Sequence, residues 1–291
     1  ENLSKSYKEI KAVNDISFKV MKGEFFAFLG PNGAGKSTTI KMLTTLLKPD
    51  SGNIILNGKQ DDVYTRQKIG VVFQENVLDG FLTVKENLLL RGGLYIKDKD
   101  ELNNRYEKLK SEFSLEEIEN QQFKTLSGGQ KRRAEIARAL FTNPEVLLLD
   151  EPTTGLDPES RKMVWGIINE IKKNSGLTVI LTTHYMEETN DADYVVIINK
   201  GKVVAKGSPN ELKSKHAHDI FTIVPQNPDL LIDYLNKNKI KYVELADQLK
   251  MKAINVEQTI KILFENKENI KSFELIKGSM DDVFINVVGE N

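Results

Sequence analysis

Three short apolar runs organise the N-terminal part of the chain, and each ends on residues able to do chemistry. "EFFAFLG" (24–30) breaks at Gly30, "EVLLLDEP" (145–152) at Asp150 and Glu151, and "LTVILTTH" (177–184) at His184. Unbroken apolar runs of this length predict central strands buried on both faces. In open α/β sheets, ligands gather at the carboxyl ends of such strands. "LSKSY" and "AVNDISFKV" also read as strands, and "KPDSGNIILNG" as a turn, a short strand and a second turn. Helical patterns follow Gly30 ("KSTTIKMLTTLL") and separate the two later runs ("ESRKMVWGIINEIKK"), and residues 76–140 are mostly helical and charged.

From about residue 213 the pattern changes. "DIFTIVP", "PDLLIDYLNKNK", "KYVELAD", "QLKMKAINV", "EQTIKILFENK" and "IKSFELIKG" alternate as βαββαβ, the ferredoxin-like order. A short amphipathic helix, "SMDDVFINVV", closes the chain. Two domains are expected, 1–212 and 213–291, with the boundary near "GSPNELKSK".

The glycine-rich stretch "GPNGAGKST", Gly30–Thr38, fits the phosphate-loop spacing G-x-x-x-x-G-K-[ST] between a strand and a helix. Glycines let backbone N–H groups approach phosphate oxygens. Lys36 would set a positive charge against the β- and γ-phosphates, and Ser37 would ligate Mg²⁺. Asp150 would hold the hydrated Mg²⁺, and Glu151 would act as base or orient the attacking water. His184 would contact the γ-phosphate or that water; its structural alternative is a satisfied histidine at a strand end.

A second stretch, "KTLSGGQKRRAEIARAL" (124–140), also has the look of a phosphate site. Ser127 suits a helix N-cap. Lys131, Arg132 and Arg133 fall in the first turn, where the helix dipole disfavours cations. A bound anion would relieve that conflict; so would solvent or nearby carboxylates.

Composition narrows the possibilities. The 291 residues, 40 % hydrophobic, can bury one large core or two smaller ones. The balance of 41 basic and 42 acidic side chains gives no general footprint for nucleic acid. The absence of cysteine excludes disulfides and thiolate metal sites. The apolar runs are too short to cross a bilayer, which takes about 20 residues as a helix.

Together the motifs resemble the ATP-binding cassette (ABC) ATPases, in family order over residues 1 to about 212. The phosphate loop supplies Gly30, Asn32, Gly33, Ala34, Gly35, Lys36, Ser37 and Thr38, and "LSGGQ" the signature, with Ser127, Gly128, Gly129 and Gln130. "TTGLD" ending at Asp157 matches the D-loop, Gln74 in "VVFQ" the Mg²⁺-contacting glutamine, His184 the switch histidine and Tyr7 the aromatic on adenine. The resemblance implies an α/β phosphate-loop NTPase fold with a mixed sheet core, an antiparallel β part and a helical subdomain. The small α+β ferredoxin-like domain would be an accessory.

The resemblance further implies ATP and Mg²⁺ as cofactors and catalysis by Glu151, His184 and Lys36. In the family the signature binds the γ-phosphate of ATP held on a second cassette, which implies a head-to-tail dimer, most simply a homodimer. "ENVLDGFLTVKENL", "TTHYMEE" and the ending "GSMDDVFINVVG" resemble the ABC-2-type, daunorubicin-resistance-like exporters, with Met280 and Asp281 departing from that ending. That group implies a separate integral membrane permease and a peripheral place on the cytoplasmic face of the membrane. It implies no nucleic-acid partner. Phe81, Leu82 and Val84 are expected to form part of the permease-docking surface. The alternatives are another cargo (sodium ions, lipid or polysaccharide) and a soluble ABC ATPase.

Overall fold

The computed structural model describes residues 1–253 and 255–289. It divides into two compact units, between Lys206 and Gly207. The first begins with an antiparallel pair, β1 (Leu3–Tyr7) and β2 (Ile10–Ile16). Then come β3 (Phe25–Leu29), α1 (Lys36–Leu43), α2 (Asp62–Lys68), β4 (Ile69–Val72), α3 (Val84–Gly92), α4 (Lys99–Glu112) and α5 (Gly128–Ala139). The unit ends with β5 (Val146–Asp150), α6 (Pro158–Ser175), β6 (Thr178–Thr183), β7 (Tyr194–Asn199) and β8 (Lys202–Gly207).

Six strands form one sheet in the order β4-β5-β6-β3-β7-β8, in which β4, β5, β6, β3 and β7 run parallel to one another. Every residue of β3, β5 and β6 is buried, as their apolar runs predict for strands covered on both faces. Phe26, Phe28, Leu148 and Ile180 pack there with Ile40 and Met42 of α1. Register sets the site: Leu29 lies opposite Thr183, and Asp150 opposite Thr182. The loops after β3, β5 and β6 therefore leave the sheet at one edge.

Some local expectations fail. "NIIL" is not a strand; the chain before it meets β1 at Lys48, Asp50 and Ser51, with one bridge from Ser51 to Ser4, and Ile54 and Leu56 pack on the core. Three strands escaped the sequence reading. β4 is only four residues long, and β7 and β8 are joined by Lys200 and Gly201, both at positive φ. Val84 is wholly buried at the start of α3, so it belongs to the core, whereas Phe81 is 74 % exposed.

The second unit holds α7 (Pro209–His216), β9 (Ile220–Pro225), α8 (Pro228–Lys237), β10 (Tyr242–Leu245), β11 (Gln248–Lys252), α9 (Val256–Glu265), β12 (Ile270–Ile276) and α10 (Met280–Gly289). Its sheet runs β10-β11-β9-β12, all antiparallel, which is the ferredoxin-like arrangement. Phe221, Ile223, Leu231, Leu235, Leu249, Met251 and Ile262 make its core. Ile254, in the expected strand "QLKMKAINV", and residues 290–291 lie outside the described residues. The division falls earlier than the 212/213 read from the sequence, because α7 packs on α10 and Asn286 Nδ2 donates to the His216 carbonyl at 2.7 Å.

Candidate nucleotide site

The loop after β3 returns into α1 through Gly35, the helix N-cap, at φ 107° and with no side-chain cap. A Cβ at Gly35 would lie 2.3 Å from the Ala12 carbonyl oxygen, so both conformation and space require glycine. The first-turn N–H groups, which have no intrahelical partners, face the loop with the positive dipole end. Asn32 and Gly33 stand exposed at its rim, and Thr38 is half-buried.

Lys36 follows, only 4 % exposed. Its Nζ donates to the Gly30 carbonyl at 2.8 Å and the Pro31 carbonyl at 3.2 Å, and lies 3.1 Å from Glu151 Oε1. All three ammonium donors are thus drawn to the loop and the acid behind it.

β5 delivers the acids. Asp150 Oδ1 accepts from Thr182 Oγ1 at 2.5 Å and from Ser37 Oγ at 3.4 Å. Thr182 Oγ1 accepts in turn from the Glu151 N–H at 3.1 Å. Glu151 sits at φ 46°, a left-handed conformation costly for glutamate, which tilts its buried side chain toward the loop. Its Oε2 accepts from Thr154 Oγ1 at 3.2 Å and lies 3.2 Å from His184 Nδ1. That approach is not aligned as a hydrogen bond, so His184 Nδ1 is buried without a partner, beside the acid. Gly30, Lys36, Ser37, Asp150, Glu151 and His184 therefore converge. Thr182 and Thr154 were missed by the sequence reading, although a threonine at the end of a buried apolar strand is a signal that could have found Thr182.

The signature residues are organised differently. Ser127 caps α5 in a reciprocal capping box: its Oγ accepts from the Gln130 N–H at 3.3 Å, and Gln130 Oε1 accepts from the Ser127 N–H at 2.9 Å. A Cβ at Gly129 would meet Ser160 Oγ at 2.7 Å, so the close packing of α5 on α6 needs glycine there. Asp157 caps α6 by accepting from the Ser160 N–H at 2.9 Å, and hydrogen bonds from Ser160 hold its carboxyl below the usual range.

Lys131 closes the first turn of α5, whereas Arg132 and Arg133 fall in the second turn and not, as expected, in the first, and Arg132 needs no anion. It is buried and turned inward, donating to the Phe73 carbonyl at 2.6 Å and the Gln74 carbonyl at 3.1 Å. Burial lowers its pKa. One and two turns on, Glu135 accepts from the N–H groups of Val77 and Leu78 at 2.6 and 2.9 Å, and Arg138 donates to the Val71 carbonyl. α5 thus clasps the segment carrying Gln74, whose side chain stays exposed. Tyr7, on β1, is also exposed.

Mg²⁺ fits the donors present. The Ser37 hydroxyl and the Asp150 carboxylate, 3.4 Å apart, would offer oxygen donors of the kind a hard cation takes, and the exposed Gln74 amide carries a third such oxygen. Among the described residues no group of three or more acids and histidines could cage a metal alone. Mg²⁺ commonly takes its remaining ligands from phosphates and water.

Residues 13–154 match the ABC transporter family. Over 303 aligned residues the chain is 35 % identical to the linearmycin resistance ATP-binding protein of Bacillus subtilis, covering 99 % of this chain and 97 % of that protein. The chain belongs to the ATP-binding cassette transporter family. Residues 207–288 match the ATP-binding protein DrrA1-3-like, C-terminal domain, as the ending of the sequence led us to expect. The Nod factor export ATP-binding protein I of Burkholderia lata is 34 % identical, over 99 % of this chain and 95 % of its own. Among solved structures, the ABC cassette MJ0796, in a dimeric post-hydrolysis state bound to ADP and Pi, is 29 % identical with a TM-score of 0.65, covering 72 % of this chain and 97 % of that one. The cassette of this ABC protein is an ATPase domain.

Proposed function

We propose that this ABC ATPase energises an ABC-2-type exporter of drugs or other hydrophobic compounds, working as a head-to-tail homodimer with a separate permease. The observation that carries the hydrolytic part is the Lys36–Glu151–His184 cluster beside an uncapped helix start. Full-length similarity to a linearmycin resistance protein and the DrrA-like C-terminal domain support the export part.

In this reading the triphosphate lies along Gly30–Thr38 with adenine on Tyr7. Lys36 exchanges the Gly30 and Pro31 carbonyls for phosphate oxygens, so its charge is already in place when negative charge shifts during cleavage. Ser37, Asp150 and Gln74 would hold Mg²⁺, which neutralises the phosphates. Once Lys36 moves to the phosphates, Glu151 is free to take a proton from the attacking water, and His184 steadies the γ-phosphate side. Ser127, Gly128, Gly129, Gln130 and Asp157 close on the nucleotide of the second subunit; the dimeric assembly of the similar cassette supports this arrangement.

A cleft of about 900 Å³, lined by Arg66, Phe73, Val77, Arg91, Tyr95 and Phe141 among others, is the proposed permease seat. It adjoins the Gln74 segment that α5 clasps, which gives the nucleotide end a mechanical link to the partner. Among the described residues no helix is long and apolar enough to cross a membrane. We place the protein on the cytoplasmic face of the membrane, carried by that permease, with no nucleic-acid partner.

The test is a Glu151→Gln variant, tagged, expressed in its native cell and held with Mg-ATP. Turnover is expected to fall about 10²–10⁴-fold while ATP still binds. A polytopic membrane protein should copurify in stoichiometric amount. Ribosomal proteins or nucleic acid in its place would overturn the transport assignment. The resemblance to a Nod factor export protein supports a second reading of cargo alone, and the cavity of the copurified permease would decide between them.

A further inference from the structure

Glu188 is the fourth residue after His184 and is 4 % exposed. The other deeply buried acids near the site have either a cation or the phosphate loop as neighbour: Glu135 pairs with Arg138, Glu151 with Lys36, and Asp150 faces Ser37. Glu188 is held by neutral donors. Its Oε1 accepts from the Thr153 hydroxyl and from Trp165 Nε1 at 3.3 Å, and its Oε2 accepts from the Thr183 hydroxyl. The Thr183 oxygen accepts in turn from the Tyr185 N–H at 2.9 Å, which spans the turn that presents His184.

These donors come from three different places. Thr153 follows Glu151 by two residues, Thr183 precedes His184, and Trp165 lies on α6, the helix capped by Asp157. One carboxylate therefore ties the acid loop, the switch turn and the D-loop helix together. Hydrogen bonds to a carboxylate are shorter and stronger than neutral ones, and burying the charge is costly unless its geometry is used.

We propose that Glu188 is a positioning residue for hydrolysis, which fixes the turn of His184 against Glu151 without touching nucleotide. The inference rests on the reading that His184 acts in turnover. Glutamine at 188 keeps the volume but offers only one accepting oxygen. With the amide nitrogen at the Oε1 position Thr153 and Trp165 lose their acceptor, and with it at the Oε2 position Thr183 does.

The test uses the full chain and two independent readouts. The protein has three histidines, His184, His216 and His218, so their ring signals in a ¹³C-histidine-labelled sample can be assigned by substitution. In Glu188→Gln the His184 signals are expected to shift and broaden, with those of His216 and His218 unchanged. kcat should fall at least about tenfold with KM for ATP held within about twofold. Adding His184→Ala to Glu188→Gln should leave turnover within about twofold of His184→Ala alone.

Unaltered His184 signals in Glu188→Gln would overturn the proposal while leaving the ATPase reading intact. So would fully multiplicative losses in the double variant. A His184→Ala variant with wild-type turnover would remove the reading of His184 and the proposal with it. Should Glu188→Gln melt early, Thr183→Val, which deletes one donor at equal volume, is held to the same readouts and the same overturning results.

Discussion

Two helices of this ATPase start at glycine-rich turns, and they are built in opposite ways. α1 starts at Gly35 in a left-handed conformation with no side chain on its first N–H groups. α5 starts at Ser127, whose hydroxyl, together with Gln130, satisfies that end reciprocally. In both helices a cation near the start is folded inward, Lys36 from the first turn of α1 and Arg132 from the second turn of α5. Lys36 reaches loop carbonyls and Glu151, partners that phosphate oxygens can replace. Arg132 reaches the Phe73 and Gln74 carbonyls, and those contacts hold the fold of the helical region. A glycine-rich motif before a helix therefore does not define one job. In the proposed function the open start would receive an anion inside its own subunit, and the capped start would offer a preformed surface to another molecule.

Substitutions can break this contrast, and Lys36→Ala is expected to have the largest effect. It should cut ATP turnover by about 10²–10³-fold, measured as phosphate release, by removing the charge from the phosphates. Equal turnover in wild type and variant would mean that the α1 start is not the working anion site. Arg132→Met comes next. It strands two carbonyls beside α5 and should cost about 1–3 kcal/mol in urea unfolding. Turnover should fall less than with Lys36→Ala, and a stability unchanged by Met would mean that Arg132 is no clasp.

Ser127→Ala removes the reciprocal cap and should cost about 1 kcal/mol by the same unfolding measurement. The same cap chemistry cannot be tested at Gly35, where the helix has none. Smallest is Asp157→Asn, which keeps a capping oxygen but cannot titrate. The Asp157 carboxyl has a folded pKa below its unfolded value, so its contribution is present at neutral pH and lost as pH falls through the folded value. The variant should therefore flatten the acid limb of the stability–pH curve slightly, and an unchanged limb would deny the Asp157–Ser160 bond any role in it.

Much of the site was legible because its residues are local to strong patterns. The strand-to-loop break at Gly30, the acids at 150 and 151 and the histidine at 184 each end an apolar run, and the sheet register aligns those ends. What escaped was decided by contacts between distant segments. Thr182 was invisible as a bridge between Asp150 and Glu151 because the bridge exists only where β5 and β6 lie side by side. Arg132 was misread because its carbonyl partners lie 58 and 59 positions away in the chain. Val84 was assigned to a surface because "GFLTV" reads as an apolar loop, yet packing divides it into an exposed Phe81 and a buried Val84.

The chain's own pattern determined the family, the three buried central strands and the glycine-rich turn into α1. Glycine spacing, apolar run length and terminal acids are constraints within single segments. Tertiary structure alone decided which cation is bound internally and where α7 belongs. Those outcomes depend on what a side chain or backbone group meets across the fold. A buried carbonyl needs a donor and a buried carboxylate needs partners, but which residue answers is fixed only when the strands and helices pack.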